Sequence, residues 1–248
     1  MRTSRLTFIV LTLVFGFFTA PARAQSPSAK KILEEMLQTL GGQEFLDVTD
    51  IKTSGRVFQF KRGELASGDN FLDYIKFPLM ERTEFGKEKS KEITINNGNT
   101  GWKSVPRDKE PQEMLPAEIQ EFQAAFKTSF DYILRFTLSD PKTTIQVIGT
   151  EIVDFERTDV LELRDPAKNR IVFYINRSTK LPIKMQVRRS DEKVVREERY
   201  GNWHRFQGIL TPLLLSRTTD GEKTMEIRLD TATYNSGLPD TLFTVSKK

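Results

Sequence analysis

The chain carries a single histidine, His204, and no cysteine. A histidine-based zinc site therefore has no second ligand of its kind, and any Ser-His-Asp relay has to run through His204. That residue stands in Asn202-Trp203-His204-Arg205, at a strand end, and no Gly-x-Ser-x-Gly elbow occurs anywhere. It reads as a structural or surface histidine. No phosphate loop, dinucleotide glycine fingerprint or calcium loop is present. The carboxylate pairs Glu151/Asp154 and Glu197/Glu198 have the residue types for acid and base work of the glycosidase kind. With 34 acidic residues scattered along the chain, however, such pairs arise by chance. Asn176-Arg177-Ser178 matches a glycosylation acceptor, which has no weight in a bacterial export context. The expectation is a protein without catalytic residues, metal or cofactor.

What remains is the chemistry of apolar surface. Ile119, Phe122, Phe126, Phe130 and Ile133 fall at intervals of three and four, an aromatic stripe about four turns long that begins at Pro116, a favoured first-turn residue. Glu118, Gln120, Glu121, Gln123 and Lys127 fill much of the other side. A helix here interrupts a run of strands and has to lie across their apolar face.

Those strands are read from alternation. In 182–188, Ile183, Met185 and Val187 alternate with Lys184, Gln186 and Arg188; in 224–230, Met225, Ile227 and Leu229 alternate with Glu226, Arg228 and Asp230. Period two places one face on a core and the other in water. Further strands are expected at 160–163, 171–175, 194–203 and 209–217, joined by turns too short for anything but antiparallel neighbours. Upstream, Ile32, Leu33, Met36, Leu37 and Leu40 form an amphipathic helix capped by Ser28 and stopped by Gly41-Gly42. Five more strands follow at 51–61, 70–77, 79–85, 92–96 and 100–105. The fold expected is α+β, mainly β: a strongly curved antiparallel half-barrel of about eleven strands, covered on its concave face by helices. A large twisted sheet curls, and its concave side is either filled or left hollow. Fourteen phenylalanines follow residue 24. They either fill the core or roof a cavity able to take acyl chains, whose burial contributes roughly 0.8 kcal/mol per methylene.

Residues 1–24 read as a secretory signal. Arg2 and Arg5 start it, an apolar run from Leu6 to Phe18 follows, and Ala22-Arg23-Ala24 supplies the cleavage site, cut after Ala24. Residues 25–248 are expected to form one domain. Loss of Arg2, Arg5 and Arg23 takes three positive charges from the formal +4 of the whole chain, and no basic face remains for nucleic acid. Location and charge together exclude nucleic acid as a partner.

Three stretches carry a family likeness. Asn176-Arg177-Ser178-Thr179-Lys180-Leu181-Pro182, the run from Tyr200-Gly201 to Thr211-Pro212, and Asn235-Ser236-Gly237-Leu238-Pro239-Asp240-Thr241-Leu242-Phe243 resemble the C-terminal half of LolA/LolB-type lipoprotein carriers. The resemblance implies an open half-barrel under a helical lid, with an apolar cavity that carries the acyl chains of lipoproteins or lipids across the periplasm. It also implies envelope membrane proteins that load or receive them. Without a lipobox cysteine, the chain looks like the soluble carrier of that pair. On this reading Phe122, Phe126, Phe130 and Ile133 form the lid, and Phe173, Ile183, Met185, Met225 and Ile227 line the floor. The alternative is an envelope-stress sensor or protein-interaction module of the same fold with a solid core and no transported lipid.

Overall fold

The computed structural model describes residues 28–87, 90–106 and 110–245. The expected signal segment lies outside the described residues.

Helix α1 (Ala29–Leu40) starts where Ser28 accepts a hydrogen bond from the Lys31 amide at 3.3 Å and ends at Gly41, whose φ of 145° favours glycine. A single turn, α2 (Gln43–Leu46), leads into the first strands: β1 (Asp50–Lys61), β2 (Glu64–Lys76), β3 (Met80–Phe85), β4 (Glu92–Asn97), β5 (Thr100–Ser104) and the two-residue β6 (Gln112–Glu113). Helices α3 (Pro116–Lys127) and α4 (Phe130–Tyr132) follow, the latter running on as a π-helical turn over Ile133–Thr137. The chain then re-enters the sheet through β7 (Thr144–Val153), β8 (Glu156–Arg164), β9 (Arg170–Asn176), β10 (Pro182–Arg188), β11 (Arg196–Phe206), β12 (Ile209–Thr219) and β13 (Glu222–Tyr234).

All thirteen strands belong to one open antiparallel sheet in the order β6-β5-β4-β3-β2-β1-β13-β12-β11-β10-β9-β8-β7. The first strand pairs with the last at its centre, and the helices of 116–137 join its two edges. Eleven strands were expected; the additional two are both edges. β6 is too short to show a period, and β7 carries a bulge at Val147/Gly149 that interrupts its alternation.

The aromatic stripe is also not one helix. The Thr128 hydroxyl bonds back to the Ala124 carbonyl at 2.8 Å, ending α3, and the Ser129 hydroxyl accepts from the Tyr132 amide at 3.3 Å, starting α4. Beyond the break the chain enters the main core, which Phe130 and Ile133 both join. Ile133 lies deepest. It is fully buried in the main core, with Leu134 beside it.

That core fills one half of the concave side. The α1 stripe Ile32, Leu33, Met36 and Leu40 packs with inward residues of β8 to β10: Leu161, Leu163, Ile171, Phe173, Ile175, Met185 and Val187. Phe173, expected on a cavity floor, is completely enclosed here. Ile183 is displaced further. The register of β10 against β9 shifts between Pro182 and Lys184, so Ile183 is a bulge residue and joins Val153, Val160, Val172 and Tyr174 on the outer face. A second outer cluster forms where Leu238 and Phe243, from the C-terminal segment, cover Ile95. Asp50 anchors that segment by accepting from the Ser236 and Gly237 amides at 2.8 and 3.0 Å.

Candidate functional site

The other half of the concave side is hollow. Strands β1, β2, β3, β11, β12 and β13 wall a cavity of about 340 Å³ roofed by α3 and α4. Its size falls within the range of roughly 300–1,000 Å³ usual for small-molecule sites. Phe122, Phe126 and Phe130 hang into it from above, while Ile51, Phe71, Ile75, Leu215, Ile227 and Leu229 face it from the sheet. A second hollow of about 300 Å³ adjoins it, lined by Met185 and Val187 and sharing Ala125, Ser129, Glu198 and Arg217 with the first. An ion pair between Arg217 and Glu198 stands at that shared boundary.

The roof is cross-braced by its own rings. Phe122 packs on Phe126 at 5.3 Å between centroids, Phe126 meets Phe77 at 6.1 Å, and Phe130 meets Tyr200 at 4.9 Å. Phe126 and Phe130 are nearly buried, so the lid rings are at once core and ceiling. Charged ties hold α3 down on both sides. Arg189, in the loop after β10, forms a two-pronged pair with Glu121, both contacts at 2.9 Å, and Lys103 on β5 pairs with Glu118. Gln123 adds a hydrogen bond to the Gly98 carbonyl at 2.8 Å.

Of the residues singled out from sequence, Phe122, Phe126, Phe130 and Ile227 line the first cavity and Met185 the second. Met225 lines neither cavity; its sulfur lies 3.8 Å from the Arg217 guanidinium. Ile133 and Phe173 lie in the solid core, and Ile183 on the opposite face. The carboxylate pair Glu197/Glu198 splits across the sheet, as neighbours on a strand do. Glu197 bonds Lys184, Gln186 and Arg199 outside, while Glu198 points into the hollow. Asp154 pairs with Arg199 at 2.7 Å on the surface, and His204 is exposed beside Phe206.

Sequence reasoning missed the polar lining. Asp73 and Glu81 stand side by side in the cavity wall, with Asp131, Glu198 and Arg217 around them. The signal was available for Asp73, which shares the inward phase of Phe71 and Ile75. It also missed Arg135, a fully enclosed guanidinium that pairs with Asp131, donates to the Phe45 carbonyl at 3.0 Å and stacks 4.0 Å over the Phe45 ring. Arg135 pins the π-helical turn against α2 and so fixes where the lid ends.

No protein-family model matches the chain, and no curated protein matches it by sequence. Solved structures do. A LolA superfamily protein of Nitrosomonas europaea superposes with a TM-score of 0.59 at 14% identity, over 89% of this chain and 99% of that one. The chain shares that protein's fold. A DUF1329 family protein of Desulfovibrio piger matches equally well, with a TM-score of 0.59 at 14% identity over 87% of this chain and 97% of the other. An outer membrane lipoprotein-sorting domain of Vibrio parahaemolyticus gives 0.54 at 11% identity over 87% and 97%. In this chain the half-barrel anticipated from the strand ladder and C-terminal motifs is present, with two additional edge strands.

Proposed function

We propose that this protein is a non-enzymatic periplasmic carrier or binder of acylated ligands, the acyl chains of lipoproteins or lipids, working without a cofactor. On this reading residues 1–24 are removed on export, residues 25–248 act as one unit, and envelope membrane proteins load or receive the cargo. The observation that carries it is the hollow under a phenylalanine roof. A sheet able to close that space with larger side chains instead leaves it open between Ile227, Leu215 and Phe126, and exclusion of an acyl chain from water supplies the driving force.

Mass spectrometry of lipid extracted from the purified protein, together with uptake of a fluorescent fatty acid, tests this. Bound acyl lipid and saturable uptake are expected, and Ile227→Trp, which fills the cavity from its floor, is expected to lower affinity about tenfold or more. A lipid-free preparation that takes up no fatty acid and co-purifies with a protein would overturn the carrier reading in favour of the sensor or interaction module.

Lid release has its own expected result. Arg189→Ala removes the two-pronged tie to Glu121 and, among the described residues, leaves Arg196, at 4.0 Å, near that carboxylate. A partly exposed charge-assisted pair contributes about 1–2 kcal/mol, so stopped-flow dissociation of the fluorescent acid is expected to speed up roughly five- to thirty-fold. An unchanged off-rate would show that the lid is held by its rings alone.

A further inference from the structure

One row of side chains runs across the floor between the two hollows. Glu198 on β11, Arg217 on β12 and Met225 on β13 are direct neighbours across the sheet. Two positions along the strands in one direction the neighbours are Tyr200, Leu215 and Ile227, all in the wall of the first hollow. Two positions the other way they are Val187, Arg196 and Thr219, all in the wall of the second. Four residues border both hollows: Glu198 and Arg217 from the floor, Ala125 and Ser129 from the roof. Two small roof residues at the break between α3 and α4 thus face two long charged ones, and the pair below sets the width of the passage.

The sheet holds that pair in place. Arg217 donates from Nε to the Glu198 carboxylate, and its Nη1 lies 3.8 Å from the Met225 sulfur. The Glu198 side chain is mostly covered, whereas that of Arg217 is half-exposed. An apolar chain pushed through the passage has to lie on both charges and strip their remaining water. It returns no hydrogen bond for what it removes, so the desolvation goes uncompensated.

We propose that Arg217 and Glu198 form a partition that confines the acyl chain to the first hollow and so sets the chain length the protein prefers. This rests on the carrier reading and specifies its ligand. Each methylene that enters the first hollow raises affinity about fourfold. A methylene that would have to pass the pair adds nothing.

The test is competition of saturated fatty acids from octanoate to octadecanoate, each below its critical micelle concentration, against the fluorescent fatty acid. In the parent, affinity is expected to climb about fourfold per methylene and to level off within the series. In Arg217→Ala the climb is expected to continue to longer chains, so that octadecanoate, measured relative to octanoate, gains tenfold or more over the parent. Arg217→Ala/Glu198→Ala, which removes both charges, serves if the single variant does not fold. Adding Thr219→Trp, which fills the second hollow, is expected to bring back the parental levelling point. That levelling point is the readout, because a uniform change in affinity does not move it. A parent whose affinity climbs through octadecanoate, or a variant that levels off where the parent does, overturns the partition and leaves the carrier reading standing. A uniform loss of affinity in Arg217→Ala with the levelling point unmoved also overturns it, since the arginine would then hold the head of the ligand. Failure of every acid to bind the parent overturns both.

Discussion

Phe173→Ala is expected to lower stability by about 3–5 kcal/mol while changing acyl-ligand affinity less than about twofold. The ring is completely enclosed, packed edge-on to Phe130 at 6.4 Å, and lines neither hollow. Its removal leaves a void among α1, β8, β9 and β10, which are held by packing on every side and have little freedom to collapse. For a chain of this size the loss corresponds to a fall in Tm on the order of 10 °C. Thermal unfolding and a fatty-acid titration on the same preparation decide the matter. A stable variant that binds poorly would place Phe173 on the ligand path after all. Set against Ile227→Trp, which fills the hollow without hollowing the core, the pair separates the two halves of the concave side by function.

Gly55→Ala is expected to destabilise by about 3 kcal/mol or more, and in the extreme to prevent folding. Gly55 sits where the register of β1 against β13 shifts, and a methyl group there collides with the Arg228 carbonyl oxygen and approaches the Leu229 Cα to 2.9 Å. These are backbone atoms of the partner strand, so the two strands have to part to make room. Gly201→Ala, in β11, is the matched control. Its nearest neighbour is the Leu214 side chain at 3.9 Å, and it is expected to stay within about 1 kcal/mol of the parent in chemical denaturation. Equal loss in both variants would mean that glycine matters at these positions for chain entropy rather than for close approach.

What could be read in advance follows from how locally each feature is encoded. The α1 stripe with Ser28 and Gly41, the alternation of β13 and the turn residues between strands are short-range signals, and the structure realises them. Alternation fails wherever a bulge inserts a residue, which is why Ile183 was assigned to the wrong face and β7 went unread. The lid stripe was legible as aromatic spacing, but its break depends on two hydroxyls, those of Thr128 and Ser129, competing for backbone groups. Apolar residues alone do not say whether the space they face is filled. Phe173 and Ile227 obey the same period, yet α1 covers one and not the other. The acidic wall was hidden for a related reason: Asp73 and Glu81 meet across the β2–β3 hairpin, but Glu198 comes from the far half of the chain, and only the sheet brings it to the same enclosure.

The seam between β1 and β13 also governs how the chain assembles. Ser54 and Thr231, whose hydroxyls touch at 2.6 Å across it, are 177 positions apart. Until the last strand arrives, β1 presents a bare edge and the early strands have no neighbour to join. Joining ends so distant carries a large loop-closure entropy and a high contact order, which places folding in the slow regime of milliseconds to seconds. The final strand works as a keystone: a chain cut short before it retains two unjoined half-arches, each with a naked flank open to aggregation.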